Sequence, residues 1–449
     1  MSALLQKLRI ICFWLSVLLV IGFVIWRLNL AHEINKELAA IRAAGLPTNG
    51  HEANDYYPAV SDDQNAAIRM AAAFSLMTNY PDGRSNEVDR ISIQSRKALL
   101  TEEQTELING YCAMNSKALA QVWEAIKFPR CRYPIDLSWG ADTLLPHLSK
   151  LKSLARVQEC QALLVPSDSE NAISTILGIA HTLDDEPVVI SKLVRMAIIN
   201  MAVAVLERRL NTTEIDAKES NDLAGMLIGV DQTNQLANGL IGERAMNIRY
   251  FRMSKADLNK YASSDDGSGG SLPGPQLPGP QPLIFKVSGF LERDLRFYLP
   301  AMETNIVLSE TYPKNISVLT NCEAKIWRTS KANIYIFSSL LLPALDLEVF
   351  REAGELAGVR TAEAALAIEN FRQKMGRLPK ELKELVPQFL PSVPQDPFDG
   401  RPLRYHQLEK GYVVYSIGRD GHDNNGREPP AYIKSTDKTE YDITFTVER

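Results

Sequence analysis

Oxygen-bearing side chains crowd one short stretch near the C-terminus. Between Gly418 and Glu428 the chain carries Asp420, Asp423, Asn424, Asn425 and Glu428, with Gly418, Gly421 and Gly426 among them. A hard cation such as calcium takes roughly six to eight oxygens at about 2.3 to 2.6 Å, drawn from carboxylates, amides and backbone carbonyls. The loop supplies all three kinds, and its glycines let the backbone turn tightly around an ion. The pattern is not an EF-hand, because His422 stands at the third loop position and no glutamate occupies the twelfth. Asp, Asn and Gly also build ordinary exposed turns. Composition therefore leaves a calcium loop and a plain turn both open.

Other reactive residue types do not assemble into a recognised constellation. His147 lies between Cys131 and Cys160 in sequence, but the spacings are long and neither Cys-x-x-Cys nor His-Glu-x-x-His occurs. A capping or core histidine is the expectation. No Gly-x-Ser-x-Gly elbow is present, and Gly267 to Gly270 sit in a Ser, Pro and Gly tract rather than between a strand and a helix, so they do not form a phosphate loop. Asp136, Asp142, Asp184, Asp185 and Glu186 form the acidic set from which a hydrolase could draw its carboxylates, provided they converge on one pocket.

The elements that must position these residues are mainly helical. From Tyr56 to Ile228 the chain is rich in Ala, Leu, Ile, Met and Glu, and Leu144, Leu148, Leu151 and Leu154 share a face. Segments 144–163, 171–184 and 187–210 are expected to form helical hairpins. The tract from Ser263 to Pro282 has nothing to bury and reads as a disordered insertion, spanning residues 262–283, within one helical domain. Helical patterning resumes over Leu283–Leu308 and Ile326–Leu342. Farther on, Ala364, Ile368, Phe371 and Met375 make an amphipathic stripe that Gly376 stops. Leu403 and Tyr405 then alternate with Arg404 and His406, and Tyr441, Ile443, Phe445 and Val447 alternate with Asp442, Thr444, Thr446 and Glu448. Period two means strands. Leu408 to Gly411 reads as the hairpin turn leading into the run Tyr412–Ile417.

Within this last region the order of motifs resembles the C-terminal half of the major pseudopilin of type II secretion systems. The resemblance is carried by Gly376, Leu378-Pro379, Asp396-Pro397-Phe398, Gly400, Pro402-Leu403-Arg404-Tyr405, the run Tyr412 to Gly421, and Glu440-Tyr441-Asp442-Ile443. It implies a small module of one helix and an antiparallel sheet, and one calcium ion. Asp420, Glu440 and Asp442 would give side-chain oxygens, and carbonyls near Ser416 and Ile417 would complete the shell. Two departures stand out: Glu440 replaces the family's usual Asp, and the loop is longer, so Asp423 or Glu428 could substitute. The helical region resembles uncharacterised bacterial envelope proteins carrying the same module, a likeness that brings no activity with it.

The N-terminus places the chain at a membrane. Residues Ile10 to Trp26 carry no charge, and at about 1.5 Å per residue they suffice to cross a hydrocarbon core of roughly 30 Å when the flanks snorkel. No small-x-small site follows the run, so an anchor is expected rather than a cleaved signal. Lys7 and Arg9 precede it without acids, whereas Arg27 and Lys36 are mixed with Glu33 and Glu37; the positive-inside rule then exports the bulk of the chain. Four of the five cysteines would lie in that exported part, and Cys112 with Cys131 is the expected disulfide.

Taken together, the 449 residues are expected to form an α+β protein. It has an anchor at 1–30, a helical domain at 31–350 and a pseudopilin-like module at 355–449. The formal net charge of -5 removes the electrostatic reason for a nucleic-acid partner. The expectation is a single-pass inner-membrane protein facing the periplasm, with a non-catalytic structural or interaction role beside an envelope or secretion partner. The alternative is an envelope hydrolase with its site in the helical domain.

Overall fold

Apolar periodicity does produce helices along most of the chain. The computed structural model describes residues 2–80, 83–92, 96–231, 235–253, 288–342, 344–429 and 441–449. The expected disordered insertion lies outside them. The first helix, α1 (Ser2–Ala43), has two halves of different character. Its apolar half is solvent-facing: Phe13, Trp14, Leu18 and Leu19 are all exposed, and the helix is long and apolar enough to cross a membrane. From Leu30 onward the spacing Leu30, Ile34, Leu38 buries one stripe. That stripe docks on α11 (Phe290–Glu310), and Arg27 reaches Glu292 at 2.7 Å.

Short helices α2 (Gly50–Tyr56), α3 (Ala66–Leu76) and α4 (Ser85–Ser92) lead into α5 (Glu102–Ala125). A capping box starts α5: the Thr101 hydroxyl accepts from the Gln104 amide while the Gln104 side chain accepts from the Thr101 amide. Next come α6 (Pro146–Leu164), α7 (Ser169–His181) and α8 (Val189–Thr212), the three helices anticipated from 144–163, 171–184 and 187–210. Pro146 occupies the first turn of α6, where its missing N–H costs nothing. Although α8 also passes the length and hydropathy test for a membrane span, 61% of its apolar window is buried within the protein. It carries buried Lys192, Arg195 and Arg209, as a core helix can and a lipid-facing one cannot.

The chain continues through α9 (Ala217–Val230), α10 (Gln235–Phe251), α12 (Ile316–Ala332) and α13 (Ile336–Leu341) to α14 (Leu345–Met375). Gly376 ends α14 in the left-handed region at φ 67°, where a side chain would be strained. This helix is longer than the stripe from Ala364 suggests, and the boundary expected at 350–355 falls inside it. Its flanks touch α8 and α9 on one side and the sheet on the other. The core accordingly runs from Met70 and Leu154 through Leu206 and Leu366 to Val414 and Phe445 without a break.

The sheet is antiparallel in the order β1 (Arg404–Gln407), β2 (Tyr412–Ser416), β3 (Ile443–Val447). Tyr405 opposes Val414, which in turn opposes Phe445. The architecture is thus mainly α with a small C-terminal sheet, an α+β arrangement. β2 is buried along its whole length. One face meets α14, and the other lies under the following loop, where a Cβ on Gly426 would sit 3.1 Å from Val413.

Candidate functional site

After β2 the chain turns at Gly418, with φ 67°, and a Cβ there would lie 3.1 Å from the Tyr441 carbonyl oxygen. Glycine thus lets the loop approach the start of β3. Asp420 accepts from the His422 amide at 3.0 Å and from the Asn424 side chain at 3.0 Å. Asp442 accepts from the Asn424 amide at 3.3 Å and the Gly426 amide at 2.7 Å, and its own N–H donates to the Arg427 carbonyl. Asn424 therefore bridges the two carboxylates singled out from the sequence. Asp423 completes the group, accepting from the Tyr415 hydroxyl at 3.1 Å. Burial pushes Asp442 up, and nearby Asp423 adds to the rise.

Glu440 lies outside the described residues. Among the described residues no set of three or more His, Cys, Asp or Glu side chains is grouped to hold a metal. The oxygen-only chemistry of Asp420, Asp423, Asp442 and the Tyr441 carbonyl suits a hard cation, yet the acceptors of Asp442 are already used by amides. What the arrangement does by itself is mechanical: it ties the loop to the last strand.

Ser416 and Ile417 serve a second carboxylate, Asp396, known from the sequence only as part of the Asp-Pro-Phe motif. Asp396, 1% exposed, accepts from the Phe398 amide at 2.9 Å, the Ser416 hydroxyl at 2.8 Å and the Ile417 amide at 3.0 Å. Arg404 donates to it from β1 and also holds Asp399. Burial pushes Asp396 up while these donors pull it back. The only sequence signal was the Asp-Pro-Phe turn. Two of its partners, Ser416 and Ile417, stand some twenty residues away in the chain.

The helical region does not bring the acidic set together. Asp136 caps a short 3₁₀ helix through the Ser138 amide at 2.9 Å, Asp142 and Asp185 are exposed, and Asp184 pairs with Arg195 and His181. Glu186 alone is fully buried, with His147 Nε2 at 3.0 Å and the Ser191 hydroxyl donating to it. The His147 ring stacks on Tyr133 at 4.1 Å between centroids. It is a satisfied core histidine. All five cysteines are free thiols, so the Cys112 to Cys131 bridge is not formed. Cys112 packs with Val157 and Cys160, whereas Cys131 belongs to the main core. Different helix layers separate them.

A cavity of about 460 Å³ opens between α6 and α8. Arg156 donates to Ser92 at 2.6 Å and to Glu159. Arg96 reaches Glu428 at 2.9 Å and Glu448 at 2.8 Å, and Glu207 accepts from the Thr446 amide at 2.8 Å. Burial pushes both Glu159 and Glu207 up to about 7. Sequence reading missed this site because its charges come from separate helices and a loop. No family model, curated protein or solved structure matches the chain.

Proposed function

We propose that this chain is a single-pass, membrane-anchored envelope protein of non-catalytic, structural or interaction role, linked to secretion machinery through its pseudopilin-like module. The observation that supports the reading most is the use of carboxylates at the C-terminus. Asp396, Asp420 and Asp442 are engaged by N–H and O–H donors that hold backbone segments together. The acids singled out from the sequence for an envelope hydrolase, Asp136, Asp142, Asp184, Asp185 and Glu186, do not share one pocket, which disfavours a hydrolase built on them. The exposed apolar half of α1 supplies the membrane contact.

In this reading calcium strengthens a clamp that hydrogen bonds already close. Asp420, Glu440 and Asp442 would hold the ion, with carbonyls near Ser416 and Ile417. The test is thermal melting of the full chain in neutral detergent with calcium or with chelator. Calcium at 100 times its Kd is expected to add about 2.7 kcal/mol, and Asp442→Asn should remove the gain. Coincident melts in calcium and chelator would refute the metal assignment. Separately, in intact spheroplasts carrying the full chain, a cysteine introduced at exposed Lys410 should react with a membrane-impermeant maleimide. Labelling only after lysis would reverse the proposed topology.

A further inference from the structure

The helix that docks on α1 shares its direction. Arg27 meets Glu292 of α11 at 2.7 Å, and Glu33 meets Arg296 at 2.8 Å, so α11 runs parallel to α1 and away from the apolar span. A Cβ on Gly289, the residue before α11, would lie 3.1 Å from the ring of Trp26, which ends the apolar run. The start of α11 thus stands at the level where the apolar half of α1 stops. α12 returns toward that level: Tyr335, just beyond its end, stacks on Phe297 at 4.7 Å and lies under the Arg293 guanidinium, 5.9 Å from the ring centroid. Arg293 is four residues past Gly289, about 6 Å at helical rise. The headgroup layer on each side of a bilayer is about 5–8 Å thick.

The corner between α12 and α13 exposes apolar and cationic side chains together. Trp327 is 54% exposed and Ile334 65%. Ile334 also sits at φ 58°, a conformation that a β-branched residue rarely adopts and that no burial in the core offsets here. Lys331 holds its ammonium 3.9 Å from the Trp327 ring centroid, one helical turn away. Lys325, Arg328 and Lys331 are exposed and make no ion pair among the described residues. The one acid between residues 316 and 341, Glu323, is turned to Asp346 of α14 instead. The corner is therefore cationic as well as apolar.

We propose that this corner is a second membrane contact, in which Trp327 and Ile334 enter the headgroup region of the bilayer that α1 crosses while Lys325, Arg328 and Lys331 meet the phosphates of anionic lipids. An indole ring suits that depth because one side of it is apolar and the other wet. The lysine and arginine stems lie along apolar surface while their charges stay among the phosphates. Lipid also gives Ile334 the apolar burial that the core withholds. With α1 the corner makes two points of attachment, which hold the body at one tilt to the membrane. The proposal rests on α1 as the membrane anchor and is independent of calcium and of the C-terminal clamp.

Photo-cross-linking tests it, with the full chain reconstituted in vesicles of phosphatidylcholine and phosphatidylglycerol and a benzophenone amino acid placed at Ile334 or, as the anchor control, at exposed Leu18. Lipid adducts, read by mass spectrometry, are expected at both positions. Arg328→Glu with Lys331→Glu should lower the yield at Ile334 by about threefold or more, with the yield at Leu18 and the melting temperature unchanged. Vesicles of phosphatidylcholine alone should lower it in the same way. Adducts at Leu18 with none at Ile334 overturn the proposal and leave the anchor standing, whereas adducts at neither position overturn the anchor as well. Cross-linking of Ile334 to protein in place of lipid, a second copy included, also overturns it. A yield at Ile334 that ignores the charge reversal overturns the part played by the cations.

Discussion

At the residue scale the C-terminal module depends on Asp396 more than on any loop acid. It is the meeting point of the Asp-Pro-Phe turn, the end of β2 and Arg404 of β1, with four donors on two oxygens. Removing the negative charge leaves Arg404 with Asp399 alone and turns one acceptor into a donor facing other donors. Asp396→Asn is therefore expected to cost about 2–4 kcal/mol, measured by denaturant unfolding of the full chain. A loss below about 0.5 kcal/mol, the size of a neutral surface change, would refute this role. The loop from Gly418 was legible in the sequence because Asp, Asn and Gly crowd it. The hub was not, since Asp396 looks like any turn residue until the fold brings Ser416 and Ile417 to it.

At the element scale, the free edge of β3 is closed by side chains of α8. Asn211 donates to the Thr446 carbonyl at 2.7 Å and accepts from the Glu448 amide at 2.9 Å, while Glu207 accepts from the Thr446 amide. An amide side chain thus imitates a neighbouring strand, which satisfies the edge and shields it from pairing with other chains. Asn211→Ala strips two of these bonds, and an expected loss of about 2–3 kcal/mol follows from the unpaired backbone groups. Hydrogen exchange at Thr446 and Glu448 should accelerate in parallel; unchanged exchange would show that α8 does not close the edge. Alternation announced β1 and β3, and the helical stripes announced α6 to α8. The N-terminal half of α14 was hidden because buried Glu352 and Glu355 interrupt its apolar pattern. Glu352 is there to accept from the Leu236 amide in the first turn of α10, at 3.0 Å, and from the Tyr312 hydroxyl at 2.9 Å.

Across the whole molecule, such buried glutamates set a pH dependence that no single site reveals. Burial raises Glu159, Glu207, Glu243 and Glu363 to about 7, and Glu348 and Glu355 to about 8. Below about pH 4.5, the ordinary glutamate value, folded and unfolded chains both hold these protons. Between there and pH 7 the unfolded chain releases them while the folded chain keeps them, so the folded state binds more protons and stability falls as pH rises. Above pH 7 the opposite sign enters from Lys192, which burial lowers to about 7, and Lys314, lowered to about 8, because there the unfolded chain binds more protons. The steep part of the fall is thus confined to the acid side of neutrality. The melting temperature of the full chain is expected to be several degrees higher at pH 5 than at pH 7. Glu355→Gln should flatten that slope and stabilise the protein at pH 7 by about 1–2 kcal/mol, since one of its carboxylate oxygens is buried without a donor among the described residues. A melting temperature that rises from pH 5 to pH 7 would mean that these carboxyls are ionised in the fold. The core would then have to provide cationic partners closer than Arg195 stands to Glu355.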